Sequence, residues 1–147
     1  EDLFTNLSTQ SHILTLPFND TPPHDYCPLH DNDTLDFGFV KLQVIATPGH
    51  TRGSVCLLAT DTRKETIDAH STQVHDEYVS LGVGRYRLSR CLFSGDTLFQ
   101  NGFGRTDLHG GDYATLMQSL NRLYELNDNL IALPGHGLPT TIGNERR

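Results

Sequence analysis

The sequence predicts an α/β domain in which a series of β-strands is covered on one face by a helix. From residue 34 onward, short apolar runs typical of strands alternate with polar turns. A later segment, residues 112–126, instead carries its apolar residues at helical spacing. Strands with a helix packed on one face form the layered arrangement of an α/β domain.

The strands are predicted in five segments. Residues 34–37 and 39–46 flank Gly38 and read as a hairpin. Residues 54–59, 90–94 and 130–133 are short apolar strands. Because side chains alternate between the faces of a strand, four residues of the second strand share one face. They are Val40, Leu42, Val44 and Ala46.

The one predicted helix spans residues 112–126. Asp112 follows Gly110-Gly111 and is a good N-cap. An apolar stripe is predicted to face the core. Its members are Tyr113, Met117, Leu120 and Tyr124, widened by Leu116 and Leu123.

The chain length of 147 residues fits a single domain. Residues 1–33, rich in Pro, Asn and Asp, are predicted to be an irregular lead-in, and the polar stretch 60–89 to be an insertion in a surface loop or extended hairpin. Apolar residues make up 36% of the chain, which is low for a globular domain. This composition would suit a piece of a domain whose remaining core comes from elsewhere.

The net charge of −7 argues against nucleic-acid and anionic-membrane partners, since both require clustered Lys and Arg. No apolar run approaches the roughly 20 residues that span a bilayer, and no signal-peptide pattern is found. The three cysteines form no C-x-x-C pair, and Cys56 and Cys91 are expected to be small buried apolar residues. We therefore expect an intracellular protein, cytoplasmic or mitochondrial.

Three strands run into a glycine turn that is followed at once by a potential metal ligand. These are His50 after Pro48-Gly49, Asp96 after Gly95, and His136 after Pro134-Gly135. Strand ends along one edge of a sheet would let such side chains converge, and imidazole with carboxylate suits zinc or iron. Spacing alone leaves two alternatives open, a metal site or surface loop residues.

Four ordered motifs resemble the metallo-β-lactamase superfamily, and within it the single-domain branch related to glyoxalase II. They are residues 47–55 (TPGHTRGSV), 93–99 (FSGDTLF), 104–107 (GRTD) and 133–143 (LPGHGLPTTIG). The resemblance covers nearly the whole chain outside 60–89. It implies an αββα sandwich, here largely its second βα half.

The resemblance also implies a metal site. His50 would bind the first metal, Asp96 would bridge both metals, and His136 would bind the second. The complete site would hold two zinc ions, with iron as the alternative metal. Residues expected to support these ligands or to meet substrate are Thr51, Ser54, Thr97, Arg105, Asp107 and Thr140. For Arg105, contact with substrate and a buried pair with Asp107 are both open.

The H-x-H-x-D-H motif that supplies the family's other ligands has no match in this chain. Five other histidines are expected to be surface residues because their spacing or position does not fit the motif: His24, His30, His70, His75 and His109. With two ligands for each metal, the chain alone should bind metal weakly and be inactive. No catalytic residue is assigned within it. It would be a fragment, a half that pairs with another subunit or a degenerate relative, and a missing N-terminal half or partner chain would cover an apolar sheet face.

The function implied by the resemblance is hydrolysis of a small-molecule thioester or other acyl substrate by a metal-bound hydroxide. Joined to the missing N-terminal half, the chain would be a hydroxyacylglutathione hydrolase-like enzyme. Two alternatives remain: an iron enzyme similar to the persulfide dioxygenases, and a non-catalytic structural or assembly subunit that has lost the full site.

Overall fold

A computed structural model describes residues 26–64, 78–80, 85–87 and 89–146 of the chain. Its main element is a six-stranded sheet with the strand order β1-β2-β3-β6-β9-β10. These strands are β1 (Thr34–Phe37), β2 (Val40–Ala46), β3 (Val55–Asp61), β6 (Arg90–Gly95), β9 (Ile131–Pro134) and β10 (Thr140–Thr141). Neighbouring strands are antiparallel except β6 and β9, which are parallel. The predicted α/β fold class is therefore confirmed.

Two further hairpins lie outside the main sheet. They are formed by β4 (Tyr78–Ser80) with β5 (Arg85–Arg87), and by β7 (Leu98–Phe99) with β8 (Gly102–Phe103). The β4–β5 hairpin falls within the predicted insertion, most of which lies outside the described residues. The β7–β8 hairpin was not predicted. Strands of two residues are too short to show an alternating pattern.

The predicted helix is present as α1 (Tyr113–Tyr124). Asp112 is its N-cap, as expected, and its side chain accepts a hydrogen bond from the Thr115 N–H at 2.7 Å. The predicted apolar stripe was wrong in one respect, because Tyr113 is 58% exposed. The predicted Leu116, Leu120 and Leu123 are buried, as is Ser119, and Met117 and Tyr124 pack against the same core. Of the predicted stripe, only the first residue of the helix extends past the core.

The main core lies between α1 and one face of the sheet. It includes side chains from four strands, α1 and the last helix: Ile45, Cys56, Leu58, Leu92, Ala132, Leu116, Leu120, Leu123 and Ile142. A short last helix, α2 (Ile142–Glu145), was not predicted. Among the described residues, no helix is long and apolar enough to cross a membrane.

The opposite face of the sheet, which we call the second sheet face, is also apolar. The strand register places these side chains on it: Leu35, Phe37, Val40, Leu42, Val44, Ala46, Val55, Leu57, Ala59, Cys91, Phe93, Ile131 and Leu133. Val44, Ala59, Cys91 and Ile131 are buried, whereas Phe93 is 46% exposed. The shared face of β2 is thus confirmed, and α1 covers the other side.

The described part of the lead-in, residues 26–33, contains no helix or strand, as predicted. Asp31 fixes its end to the sheet by accepting a hydrogen bond from the Ala46 N–H at 2.8 Å. Its carboxylate also pairs with Arg122 of α1 at 2.6 Å. The expectation of exposed histidines is confirmed for His30 and His109, while His24, His70 and His75 lie outside the described residues. Cys56 and Cys91 are buried and free, as expected.

Candidate metal centre

The topology brings three turns to one edge of the sheet. β3 is antiparallel to both β2 and β6, so β2 and β6 run in the same direction, and β9 is parallel to β6. The C-terminal ends of β2, β6 and β9 therefore lie at the same edge. His50, Asp96 and His136 follow these three ends, so the predicted ligands share one edge.

The carboxylate of Asp96 lies between the two imidazoles. His50 Nε2 is 3.8 Å from Asp96 Oδ2, and His136 Nε2 is 3.6 Å from Asp96 Oδ1. Both distances are longer than a good hydrogen bond. Each histidine thus faces a different oxygen of one carboxylate, an arrangement suited to a carboxylate that bridges two cations.

The ring of His50 is held in a defined tautomer. Its Nδ1 lies 2.7 Å from the backbone carbonyl oxygen of Arg105. Because a carbonyl oxygen only accepts, Nδ1 must carry the proton, and in the neutral ring Nε2 keeps its lone pair. Nε2 is the nitrogen that faces Asp96. Metal-ligating histidines are commonly oriented in this way.

Two glycines let the surrounding backbone approach the site closely. A Cβ at Gly135 would lie 2.8 Å from Asp96 Oδ1. A Cβ at Gly104 would lie 2.0 Å from the Asp96 carbonyl oxygen and 3.0 Å from the His50 ring. A side chain at either position would displace a predicted ligand.

A layer of buried hydroxyl groups lies beneath the turns. Thr47, fully buried at the end of β2, has its Oγ1 3.0 Å from that of Thr97. The same hydroxyl lies 3.5 Å from the Cys56 thiol. Ser94 donates to the carbonyl oxygen of Leu98 at 2.8 Å. Because buried polar groups are costly to leave unpaired, these bonds fix the His50 and Asp96 turns relative to one another.

Backbone hydrogen bonds connect the other elements to the site. The Gly135 N–H donates to the Gly95 carbonyl oxygen at 2.9 Å, joining the turns of His136 and Asp96. The Asp112 N–H donates to the Gly49 carbonyl oxygen at 2.8 Å, joining the start of α1 to the turn of His50. The three turns and the helix therefore form one connected unit.

Thr51 and Ser54 lie beside the site rather than in it. Their hydroxyl oxygens are 2.8 Å apart, and Ser54 Oγ also accepts from the Thr51 N–H at 3.1 Å. This pair closes the turn that follows His50.

The pair of Arg105 and Asp107 exists but is exposed, so the buried alternative was wrong. The guanidinium donates to both carboxylate oxygens, at 2.7 and 2.6 Å, while the side chains are 61% and 68% exposed. The hydrogen bonds from Arg105 lower the pKa of Asp107 to about 2. Because Arg105 and Asp107 are only two residues apart in the chain, their side chains can pair at the surface without being buried.

Thr140 is buried, and its hydroxyl donates to Glu145 Oε1 at 2.5 Å. The other oxygen of Glu145 accepts from the Asn101 N–H at 2.8 Å. Glu145 therefore connects the β7–β8 turn to the strand after His136. Thr47 and Glu145 were not predicted from the sequence, because their contacts join segments that are far apart in the chain. The same holds for Phe99, whose ring lies 4.3 Å from that of His136. For Thr47, the position next to the Pro-Gly-His turn was the available signal.

The donors fit a metal in chemical type and orientation but do not complete a site. Among the described residues, no group of three or more His, Cys, Asp or Glu side chains is arranged to hold a metal ion. His50 with Asp96, and Asp96 with His136, offer two donors to each position. A catalytic zinc normally takes about three protein ligands and a water, so each position needs at least one further donor.

Comparisons with known proteins point to one superfamily. The family model described as the metallo-beta-lactamase superfamily matches residues 66–136. The hydroxyacylglutathione hydrolase GloC of Haemophilus influenzae is 32% identical over 146 residues, 99% of this chain and 56% of GloC. The crystal structure of TTHA1623 in a di-iron-bound form is 28% identical, with a TM-score of 0.68 over 99% of this chain and 58% of that one.

These matches confirm the resemblance of the chain to the metallo-β-lactamase superfamily. Its fold is the α/β type of that superfamily. The chain spans about half the length of the curated relatives it matches. The structure of ETHE1 from Myxococcus xanthus is also similar, at 30% identity and a TM-score of 0.59, covering 81% of this chain and 42% of that one.

Members of the metallo-β-lactamase superfamily bind metal ions. The family model includes Asp96 and His136, whereas His50 lies before the matched residues. The assignment of His50 therefore depends on its own geometry: a ring fixed through Nδ1, with Nε2 facing the carboxylate.

Proposed function

We propose that the protein is a metal-dependent hydrolase of a small-molecule thioester or related acyl substrate. The observation that carries the proposal is the position of Asp96, with the Nε2 atoms of His50 and His136 facing its two oxygens. The similarity to GloC supports this substrate class. Residues 1–147 would form part of the domain, without the half that carries the H-x-H-x-D-H motif, and with an irregular lead-in over 1–33 and an insertion over 60–89.

In this proposal, His50 and Asp96 hold one metal, and Asp96 and His136 hold the other. When bound, the two metals would lower the pKa of a coordinated water and polarise the acyl carbonyl. The chain itself supplies orientation. The Arg105 carbonyl fixes the His50 ring, and the buried Thr47–Thr97 pair holds the two turns together.

Further donors must come from outside these three residues, since each position has two. We propose that another part of the protein or a partner chain supplies them and packs on the second sheet face. Side chains such as Phe93, 46% exposed, would be buried there. The free cysteines agree with an intracellular location in a reducing compartment.

A second candidate is an iron-dependent persulfide dioxygenase, because the motif GRTD at residues 104–107 also resembles that group of enzymes. The position of His136 argues for the hydrolase, because a single metal on His50 and Asp96 has no use for a second imidazole 3.6 Å from the same carboxylate. The di-iron form of TTHA1623 shows that a similar fold accommodates two metals.

Metal analysis of the full-length protein, combined with thioesterase and persulfide oxygenase assays, tests the proposal. A hydrolase predicts two metals per chain and thioester cleavage that is lost in Asp96→Ala. One iron per chain with oxygen consumption on a persulfide would establish the second candidate instead. A folded protein with neither metal nor activity would point to a structural subunit.

A further inference from the structure

The two histidines of the candidate metal centre are held by different means. The His50 ring is fixed by a hydrogen bond from Nδ1 to the Arg105 carbonyl oxygen, and its side chain is 18% exposed. The His136 side chain is 68% exposed. Within the described part of the chain, no hydrogen bond restrains its Nδ1 in the same way. Its ring contacts are with Asp96 and with the aromatic ring of Phe99.

Phe99 packs directly on the His136 ring. The ring centroids are 4.3 Å apart, and the planes are tilted by 36°. Aromatic rings at this separation attract one another and limit each other's rotation. Because the His136 side chain is 68% exposed, the packing of Phe99 on its ring limits the direction in which Nε2 points.

Phe99 is itself well anchored. Its neighbour Leu98 is 1% exposed and belongs to the main core. The turn after Phe99 is held by Glu145, which accepts from the Asn101 N–H, and the same carboxylate accepts from Thr140 beyond His136. One acidic residue therefore fixes the segment that carries Phe99 and the segment that follows His136. The aromatic contact is built between two restrained elements.

We infer that Phe99 is a positioning residue that sets the affinity of the metal position at His136, while the position at His50 does not depend on it. The inference rests on the proposed function, in which His136 binds the second metal. Residues that orient metal ligands commonly affect affinity. A lost aromatic contact of this kind corresponds to a roughly three- to tenfold weaker second metal.

The test compares Phe99→Ala and Phe99→Leu with Phe103→Ala in the full-length protein. Phe103 lies on the paired strand of the same hairpin, but its ring contacts Tyr113, at 6.2 Å between centroids, so it is a matched control. Phe99→Leu keeps an apolar side chain but removes the aromatic ring, and it replaces the alanine variant if that variant does not fold. Two readouts are needed: NMR shifts of the His136 ring in metal-free protein, and stepwise zinc affinities by chelator competition.

The inference predicts that both Phe99 variants lose the ring-current shift at His136 but not at His50. It also predicts a selectively weaker second zinc and an unchanged first zinc, with Phe103→Ala like the wild type. The inference would be overturned if Phe103→Ala weakened the second zinc as much as the Phe99 variants do. It would also be overturned if both Phe99 variants bound the second zinc with wild-type affinity. If the wild-type protein bound no zinc while the His136 shift still depended on Phe99, the proposed function would fail, and so would the metal role of Phe99. The ring contact itself would remain.

Discussion

The hydroxyl groups of Thr47 and Thr97 lie 3.0 Å apart in the buried layer beneath the metal centre. Thr47 directly follows the strand that leads to His50, and Thr97 directly follows Asp96. Both side chains are shielded from solvent, at 0% and 1% exposure. This contact joins two predicted ligands through residues separated by 50 positions in the chain.

Thr97→Val should destabilise the protein by about 1–3 kcal/mol, because it leaves the Thr47 hydroxyl without its closest partner in a buried site. The double variant Thr47→Val with Thr97→Val should lose less free energy of unfolding than the two single variants added together, since it removes both polar groups at once. Denaturant unfolding of the full-length protein measures these differences. Thr97→Ser, which keeps the hydroxyl, is the control. If the losses in free energy of unfolding of the two single variants simply added up in the double variant, the two hydroxyl groups would not form a direct pair.

Gly49→Ala should be far more damaging than Gly38→Ala, although both glycines have a positive φ, +134° and +67°. A Cβ at Gly49 would lie 2.4 Å from the Leu116 backbone, whereas at Gly38 nothing lies within 4 Å. Backbone strain and overpacking together should lower the free energy of unfolding of Gly49→Ala by about 3 kcal/mol or more. For Gly38→Ala the free energy of unfolding should fall by about 1–2 kcal/mol. Similar unfolding midpoints for the two variants would contradict the close packing of the His50 turn on α1.

The ion pair of Asp31 and Arg122 should contribute stability that depends on pH. The hydrogen bond from Arg122 is the main cause that lowers the pKa of Asp31 below its ordinary value of 3.8, with a further contribution from the Ala46 N–H. A lowered folded-state pKa means that the contribution is present above 3.8 and is lost as the pH falls through the folded pKa. The stability difference between wild type and Asp31→Asn should therefore shrink in acid. A difference independent of pH from 7 down to 3 would exclude this account.

The second sheet face should make the 147-residue chain by itself bind a hydrophobic dye or self-associate. Leaving apolar side chains such as Phe93 and Phe37 exposed costs roughly 1.5–3 kcal/mol each, against a total stability of about 5–15 kcal/mol for a domain. Phe93→Ser should reduce dye binding, whereas Tyr113→Ser, on the helix, should not. If the chain were monomeric, folded cooperatively and did not bind the dye, the second sheet face would need no partner.

The sheet, the helix and the edge that carries the site could be predicted because each has a local signal. The alternation in β2, the Asp112 cap and the glycine turns before His50, Asp96 and His136 are all visible in short windows. The resemblance to the metallo-β-lactamase superfamily, drawn from those turns, is confirmed.

The supporting contacts could not be predicted in the same way. The Phe99–His136 stacking and the two bonds to Glu145 join segments whose spacing is set by the fold. The exposure of Tyr113 was missed because helical periodicity shows which residues share a face, but not where the core ends. The ligand roles of His50, Asp96 and His136 stay predictions.

Metal content of Asp96→Ala, His50→Ala and His136→Ala in the full-length protein tests the central claim most directly. The account predicts two metals in the wild type, the loss of both in Asp96→Ala, and the loss of one in each histidine variant. Asp36→Ala, which removes an exposed carboxylate of β1, should keep both. Folded Asp96→Ala protein with wild-type metal content would contradict the claim that this carboxylate joins two metal positions.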